Sequence, residues 1–295
     1  MEGGDNGKGR GQGGRRRNNN IRSTEGKKKC SLKIVTWNKG GANQELRKKH
    51  NESMLQLLED DIDCLGVTEA NLRAESDMQE VSIPGYIMKW DSGCENRQKK
   101  NSLVVVVVKE ELSCDILTNY MKNDLMREVW LRLWHRNTKR TVVGFIYREH
   151  TPWGTEEGSI KEQETRLKNW LEARTEVWRG KEEVFMIGDI NLDFLKRDDK
   201  TYRNIWMLKA LTEELEGHGW VQLVKSFTHY ANRAGSVSTS LIDHVWTNTP
   251  SKVKNSGQIE VGASDHQRVW VERRAKNLVE RVREILVEMV IRVTP

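Results

Sequence analysis

Polar side chains that could do chemistry stand at the ends of several apolar stretches of this 295-residue chain. The clearest case is Gly188–Asn191, which follows the apolar run Val184–Ile187 and places a carboxylate and an amide two residues apart. Because residues i and i+2 of an extended segment lie on the same side, Asp189 and Asn191 are expected to face one pocket. Such a pair can hold a water molecule and a phosphate oxygen together. By itself, however, Gly-Asp after a strand is most often a turn.

The same pattern recurs elsewhere in the chain, at Trp37-Asn38, Thr68-Glu69, Ile146-Tyr147, Ile242–His244 and Ser264–His266. Taken singly, each residue has an ordinary explanation: a turn for Asn38, a surface carboxylate for Glu69, a packed ring for Tyr147. Asp243 could cap a turn, and His266 could be a satisfied structural histidine. These explanations do not account for the repeated occurrence of such residues at strand ends, where α/β proteins place their sites.

Metal-assisted hydrolysis of a phosphodiester is the chemistry that uses this set of residues. A hard cation such as Mg²⁺, with Mn²⁺ as a substitute, takes oxygen ligands and keeps several waters. Glu69 is the best single candidate ligand, with Asp265 or Asn38 completing the shell. The cation would polarise the phosphate and neutralise the charge that develops on it.

The other candidates have distinct roles in such a reaction. Asp189 is placed to orient or deprotonate the attacking water, and Asn191 can donate a hydrogen bond to a phosphate oxygen without adding negative charge. His266 can pair with the phosphate or the nucleophile if a partner fixes its tautomer, and Asp243 is the natural partner. Tyr147 offers a hydroxyl to the transition state.

Hydrophobic periodicity predicts the elements that would position these residues. Strands are predicted at Leu32–Trp37, Ile62–Val67, Leu103–Val108, Glu128–Trp134, Thr141–Tyr147, Val184–Ile187, Leu241–Thr247 and Val269–Glu272, and helices at Lys48–Asp60, Lys161–Arg179 and Tyr202–Leu215. The five valines of Leu103–Val108 are typical of a strand covered on both faces. Thr151–Ser159 and Phe227–Ser240 are interpreted as loops near the site, the second able to enter a nucleic-acid groove. Mixed hairpins and helical crossovers indicate an α/β layered domain.

Basic charge is concentrated at the N-terminus. Residues 1–30 hold nine Lys or Arg and three Asp or Glu, and therefore carry the whole net charge of +6. We predict a disordered basic Gly/Arg-rich arm at 1–30, a catalytic domain at 31–275, and an amphipathic C-terminal helix or truncated linker at 276–295. Such an arm can attract nucleic acid without reading its sequence, and a solvated leader explains it equally well.

Cysteine spacing and hydropathy restrict the class of protein. The four cysteines show no CxxC and no paired spacing, which argues against a zinc site or disulfide framework built on them and favours a reducing compartment. Neither an apolar run of membrane-spanning length nor a secretory signal is visible. We therefore predict an intracellular, monomeric protein with no membrane segment.

In chain order, the motifs resemble those of the endonuclease/exonuclease/phosphatase superfamily over residues 31–272. Tyr147–Glu149 and Ile242–Asn248 look most like the apurinic-type endonuclease domains of non-LTR retrotransposons. The resemblance implies a four-layer α/β sandwich, in which two mixed β-sheets pack face to face with helices on both outer sides. It also implies Mg²⁺-dependent phosphodiester hydrolysis, with metal or phosphate residues at Asn38, Glu69 and Asp265 and a catalytic group at Tyr147, Asp189, Asn191, Asp243 and His266. Repair-type relatives carry an acidic residue at the position of Gly40. Because this chain lacks that carboxylate, Glu69 would make more of the contacts to the metal.

Three functions are compatible with these observations. The leading hypothesis is a DNA-nicking endonuclease of retrotransposon origin, which would act in the nucleus. The second hypothesis keeps the fold and has a phosphoinositide, sphingolipid or nucleotide phosphoester as the substrate. Inositol phosphatases carry a Trp-Cys-Asp-Arg-like stretch, and this chain has Leu241–His244 at that place instead. The third is a catalytically inactive nucleic-acid-binding remnant. The candidate positions are all intact, which argues against it.

Overall fold

Strands dominate the part of the chain that the computed structural model describes, which comprises residues 31–40, 60–72, 82–91, 102–117, 126–134, 140–149, 160–233, 236–261 and 264–274. The strands are β1 (Ser31–Asn38), β2 (Cys64–Leu72), β3 (Tyr86–Trp90), β4 (Ser102–Lys109), β5 (Ser113–Ile116), β6 (Met126–Trp134), β7 (Thr141–Arg148), β8 (Glu183–Asp189), β9 (Val221–Gln222), β10 (His229–Arg233), β11 (Ser236–Ser240), β12 (Asp243–Thr247), β13 (Val253–Ile259) and β14 (Arg268–Arg274). The helices are α1 (Ile160–Ala173), α2 (Thr175–Arg179) and α3 (Ile205–Gly217), with 3-10 turns at Phe194–Lys196 and Pro250–Lys252. The predicted arm, the predicted loop Thr151–Ser159, the tail 276–295 and nearly all of the predicted helix Lys48–Asp60 lie outside the described residues.

The first sheet has six strands in the order β13-β14-β1-β2-β4-β3. Strand β1 is parallel to β2, so Asn38 at its end lies beside Thr68. Strand β1 is antiparallel to β14, with Ser31 opposite Arg274. The first and last described strands are therefore neighbours.

The valine run of β4 is buried on both faces of this sheet, as predicted. Val104, Val106 and Val108 pack toward the second sheet, in a cluster that includes Phe145. Val105 and Val107 pack on the opposite face in a separate cluster. The alternation follows from the period of two along a strand.

The second sheet also has six strands, in the order β5-β6-β7-β8-β12-β9. Strands β6 and β7 are antiparallel neighbours, and β7 runs parallel to β8. Strand β12 is antiparallel to β8, which places Asp243 opposite Asp189.

The two sheets pack face to face, and a glycine allows their closest approach. A Cβ atom on Gly66 of β2 would lie 2.0 Å from the ring of Phe145 in β7, so a larger residue cannot be accommodated there without a shift. At one end of this interface the buried guanidinium of Arg273 donates through NH2 to Oε2 of Glu183 at 2.9 Å, and its Nε donates to Oε1. Thr141 Oγ1 also donates to Glu183, at 3.1 Å.

Helices cover the outer face of the second sheet. Glu128 of β6 points to this side and accepts hydrogen bonds from the indoles of Trp130 and Trp170 at 2.8 and 2.9 Å. It also forms a buried ion pair with Arg174. The ring of Trp178 in α2 packs on that of Trp170 with centroids 5.4 Å apart. These contacts and the two mixed sheets confirm the predicted α/β sandwich.

Two local predictions differ from the structure. The segment Phe227–Ser240, interpreted as a loop, contains the hairpin β10–β11. Its residues are mostly polar and exposed, so they give no apolar alternation although Thr and Val favour extended backbone. The helix predicted at Lys161–Arg179 is interrupted at Arg174. The backbone of this residue is non-helical, and its side chain forms an ion pair with Glu128.

Candidate active site

The candidate residues meet at one edge of the two sheets. Strands β1, β2, β7 and β8 end there, and β12 begins there. Asp189, the last residue of β8, lies between Tyr147 of β7 and Asp243 of β12 in the strand register. The apolar runs thus deliver residues that are distant in sequence to a single location.

Asn38 links the two sheets at this edge. Its amide nitrogen donates to Glu69 Oε1 at 3.0 Å and to Asp189 Oδ2 at 2.7 Å. Tyr147 donates from its hydroxyl to the same Glu69 oxygen at 3.0 Å. Glu69 itself has a φ of 51°, a left-handed backbone conformation that turns its carboxylate toward these two donors. A single network therefore joins four of the predicted residues.

The turn that follows β8 has a different geometry from the extended segment that was expected. Asn191 has a φ of 53°, and its backbone N–H donates to Asp189 Oδ1 at 2.8 Å, which makes an Asx turn. The Asn191 amide donates to the carbonyl of Arg148 at 2.7 Å and to Asp189 Oδ2 at 3.2 Å. Gly188 has a φ of 149°, and a Cβ there would lie 1.9 Å from the carbonyl oxygen of Ile146. Only glycine fits this junction.

Asp243 and His266 form a second group. His266 Nδ1 lies 2.9 Å from Asp243 Oδ2, and the carboxylate acceptor fixes a proton on that nitrogen. Thr228 donates from Oγ1 to the same carboxylate oxygen at 2.7 Å and accepts from the backbone N–H of Asp243 at 3.1 Å. Sequence reasoning missed Thr228, because one threonine in a polar segment carries no signal of such a contact.

Ser264 connects the two groups. Its hydroxyl donates to the carbonyl of Asn38 at 2.8 Å and accepts from the backbone N–H of His266 at 3.0 Å. Ligand atoms of Asp189, Asp243 and His266 all lie within 4.8 Å of one another. The base candidate and the histidine candidate therefore face the same space.

Asp265 lies at the outer rim of this space. Its side chain is 57% exposed, and its Oδ2 is 3.5 Å from Nε2 of His229. Its Oδ1 lies close to Gly40, where a Cβ would be 3.6 Å away. Among the described residues, Asp265 groups with His229 and His266 within possible metal-ligand distance, and Glu69 belongs to no such group.

Burial and neighbouring charges shift the acidity of three site residues. Burial, followed by the charge of Asp243, raises the pKa of Asp189 to about 7, although His266 and the amide donors lower it. Burial would lower the pKa of His266, but the charge and hydrogen bond of Asp243 and the nearby Asp189 raise it to about 9. Burial and the charges of Glu69 and Asp189 raise the pKa of Tyr147 far above its usual range. At pH 7 the histidine is a cation and the tyrosine keeps its proton.

Arg148 is a site residue whose role the sequence did not reveal. Its guanidinium is fully buried, and NH1 donates to the carbonyls of Ile190 and Asn191 at 3.4 and 3.3 Å. NH2 donates to Gln163 Oε1 at 2.7 Å. The arginine thus ties the turn after β8 to α1, and its hydrogen-bond partners are neutral.

His244, next to the site aspartate, faces the interior. Its Nε2 lies 2.8 Å from the carbonyl of Leu192, and Nδ1 accepts from the indole of Trp246 at 3.2 Å. Because an indole N–H can only donate, Nδ1 carries no proton and Nε2 donates. Burial lowers the pKa of this histidine. Its role is structural.

Comparisons with known proteins bear on the fold. No protein-family model and no curated protein matches the chain. Among solved structures, the AP endonuclease LMAP from Leishmania major superposes with a TM-score of 0.62 at 13% identity, over 83% of this chain and 88% of that one. The endonuclease domain of TRAS1, a telomere-specific non-LTR retrotransposon, gives 0.57 at 14% identity, over 83% and 100%. A 3′ phosphatase, NExo from Neisseria, solved with a product DNA hairpin, gives 0.53 at 16% identity, over 82% and 99%.

The chain has the endonuclease/exonuclease/phosphatase fold. This finding confirms the predicted sandwich. The candidate residues lie at one edge of this sandwich, where several strands of both sheets end. Among the described helices, none combines the length and the apolar character that crossing a membrane requires.

The donor atoms at this edge of the endonuclease/exonuclease/phosphatase fold suit a hard cation. Both hydrogen bonds to Glu69 arrive at Oε1, which leaves Oε2 for a ligand bond. Asp265 is accessible at the rim. Asn38 turns its nitrogen to the carboxylates, and its Oδ1 accepts from the N–H of Gly40 at 2.9 Å. Oxygen atoms of this kind are what Mg²⁺ takes in proteins.

Proposed function

We propose that the protein is a Mg²⁺-dependent phosphodiester hydrolase that nicks DNA, an endonuclease of retrotransposon origin. The observation that carries the proposal is the convergence of Tyr147, Asp189, Asn191 and the Asp243–His266 pair on one strand edge. The resemblance of the sequence motifs and the likeness to a retrotransposon endonuclease domain support the choice of DNA as substrate.

Asp189 is the general base of the proposed reaction. Its carboxylate accepts three N–H donors, two from Asn191 and one from Asn38. Because a carboxylate has about four acceptor positions, one remains to orient the attacking water. A pKa of about 7 suits a base that takes a proton near neutral pH. The bond from the water oxygen to phosphorus then forms as the bond to the leaving oxygen breaks.

The other residues stabilise the charge that develops on the phosphate. Protonated His266 presents its Nε2–H, since Nδ1 is held by Asp243. Tyr147 keeps its proton and would turn its hydroxyl from Glu69 Oε1 to a phosphate oxygen in order to donate there. Glu69 and Asp265, with Asn38, would hold Mg²⁺, which supplies a positive charge beside the phosphate. Asn191 donates its two amide hydrogens to the carbonyl of Arg148 and to Asp189, and so it orients the proposed base.

Nicking of supercoiled plasmid tests the proposal directly. The purified chain should convert the plasmid to its open-circular form with Mg²⁺ and not with EDTA, and an oligonucleotide with one abasic site tests lesion preference in parallel. His266→Ala should abolish nicking, whereas His218→Ala, which alters the histidine directly after α3 and away from the site, should not. Undiminished nicking by His266→Ala and by Asp189→Ala would contradict the assignment.

A phosphomonoesterase is the second candidate, because a 3′ phosphatase shares the fold. The same residues could remove a terminal phosphate from DNA or from a small phosphoester. Release of inorganic phosphate from a 3′-phosphorylated oligonucleotide, without cleavage of plasmid, would favour it over the endonuclease. Neither product would be expected from an inactive remnant, and Mg²⁺ should then not raise its melting temperature.

A further inference from the structure

A second cluster of ligand-type side chains lies on the outer side of the site. His229, at the start of β10, pairs with His266 through an isolated antiparallel β-bridge. Their rings lie 4.5 Å apart between centroids, at an interplanar angle of 51°. Asp265 stands beside them, with Oδ2 3.5 Å from His229 Nε2. One ligand atom from each of the three residues lies within 4.8 Å of the others.

Both imidazoles are held through the same ring nitrogen. His266 Nδ1 is 2.9 Å from Asp243 Oδ2, and His229 Nδ1 is 3.1 Å from the hydroxyl of Ser240. This leaves Nε2 of each ring as the nitrogen for a further ligand. An imidazole that binds a metal through one nitrogen usually has the other fixed by a carboxylate, carbonyl or water. Asp243 and Ser240 occupy those fixing positions here.

The cluster is compact enough to close around an ion. Tetrahedral zinc, with bonds of about 2.0–2.2 Å, needs ligand atoms roughly 3.4 Å apart. The three ligand atoms all lie within 4.8 Å of one another, so small side-chain rotations would bring them to that spacing. Asp265 is 57% exposed and can rotate, and the His229 side chain is 20% exposed, so an ion can reach the cluster from solvent.

The chemistry of the ligands selects the ion. Two imidazole nitrogens and one carboxylate favour zinc and its first-row neighbours, whereas the oxygens around Glu69 favour Mg²⁺. We propose that His229, Asp265 and His266 form a binding site for Zn²⁺, which shares Asp265 with the proposed Mg²⁺ ligands, does not include Glu69 and leaves a fourth position open to solvent. Nothing in this binding depends on the protein being a nuclease.

Zinc at this site would regulate the reaction, an extension that rests on the proposed function. Zn²⁺ would displace the Nε2 proton of His266 to solvent and bind that nitrogen, which could then no longer donate to the phosphate. It would also draw Asp265 away from Mg²⁺. Occupancy by Zn²⁺ should therefore inhibit Mg²⁺-supported cleavage. His229 would be the residue that confers this sensitivity without taking part in hydrolysis.

Metal binding is measured on the full chain, in excess Mg²⁺, by Zn²⁺ calorimetry and by the visible absorption of Co²⁺ as a spectroscopic substitute. His229→Phe keeps the ring contact with His266 and removes the ligand atom. His218→Phe is the matched control, because His218 pairs with the carboxylate of Glu214 at 3.2 Å without a second imidazole. We expect His229→Phe to weaken Zn²⁺ binding at least about 10-fold and to abolish the Co²⁺ spectrum, and His218→Phe to retain both.

Equal binding by the parent chain and His229→Phe, at matching melting temperatures, would overturn the proposal. So would loss of binding in His218→Phe alone. In the activity arm, the Zn²⁺ concentration that halves Mg²⁺-supported nicking should rise at least about 10-fold in His229→Phe, with zinc-free nicking unchanged. If no variant or parent nicks DNA but the Co²⁺ spectrum still requires His229, the proposed function fails and the metal site stands.

Discussion

Strand β8 carries a buried carboxylate at each end, and the two have opposite surroundings. Glu183, its first residue, receives the guanidinium of Arg273 and the hydroxyl of Thr141, so its charge is neutralised. Asp189, its last residue, receives only neutral amide donors and faces the carboxylate of Asp243. Glu183 therefore joins the two sheets through an ion pair, whereas the hydrogen-bond donors of Asp189 neutralise its negative charge only in part.

The difference separates a group that stabilises the fold from one that is available for chemistry. A buried ion pair with its hydrogen bonds satisfied has no affinity left for a ligand. A buried carboxylate with a raised pKa is stabilised when it binds a proton or a cation, and it can take a proton from a reacting water. Substitutions at the two ends should therefore alter different measured quantities.

The largest expected effect is on activity at Asp189. Asp189→Asn keeps the size of the side chain but removes the base, and should lower the nicking rate by about 10²–10⁴-fold. The change removes a charge facing Asp243, but its amide nitrogen would face an N–H donor of Asn38 or Asn191, so the melting temperature should fall slightly. Plasmid nicking and thermal unfolding of one preparation measure both. A variant that unfolds easily and still nicks at the parent rate would reverse the comparison.

At the other end of β8, the effect should appear in stability. Glu183→Gln leaves the buried Arg273 cation without its partner and should reduce the free energy of unfolding by about 3–5 kcal/mol. Glu182→Gln is the control, since Glu182 forms an exposed pair with Arg132 and should contribute less than about 1 kcal/mol. Urea unfolding measures both. Nicking per folded molecule should be unchanged in both, and a large loss with Glu183→Gln would contradict the distinction.

His266 should contribute stability at low pH that disappears at high pH. Its pKa is raised from about 6.5 in the unfolded chain to about 9 in the fold. Its contribution is therefore complete below pH 6.5 and is lost as the pH rises through 9. In EDTA, the difference in unfolding free energy between the parent and His266→Gln should fall by about 1–3 kcal/mol between pH 6 and 10. A difference that does not change with pH would mean that Asp243 does not stabilise the imidazolium.

His244, one residue beyond Asp243, should show the opposite and smaller dependence. Its folded pKa lies below the unfolded value, so its stabilisation is present above about pH 6.5 and is lost below it, by about 1 kcal/mol per pH unit. His244→Gln should remove this contribution to the loss of unfolding free energy at low pH. Urea midpoints at pH 7 and pH 5 measure it. An unchanged slope would show that the histidine accepts a second proton in place.

Sequence reasoning predicted which of these residues would meet at one edge of the sheets, because they lie where apolar runs end. The run Val184–Ile187 gives the end of β8, and Gly188–Asn191 follows it directly. The same reasoning placed Asn38, Glu69 and Tyr147, each directly after or at the end of a buried strand. Local pattern is sufficient there, because strand pairing alone brings the strand ends together.

Contacts that depend on distant pairing were not visible in the sequence. The partner of Glu183 is Arg273, ninety positions away, and neither charge stands out among its neighbours. Thr228 reaches Asp243 only because a polar segment folds back as β10 and β11. The short strands β5 and β13 are exposed along much of their length and lack the apolar alternation that identifies buried strands.

The register of β1 with β14 has a consequence for anything attached to this domain. Ser31 lies opposite Arg274, whereas Asn38 marks the site at the other end of the same strand. An eight-residue strand is about 26 Å long, so both flanking sequences join the domain side by side and far from the reacting groups. A fluorophore or an affinity tag attached beside Ser31 or Arg274 would therefore lie far from the proposed reacting groups, and two labels placed there would report on each other rather than on a substrate.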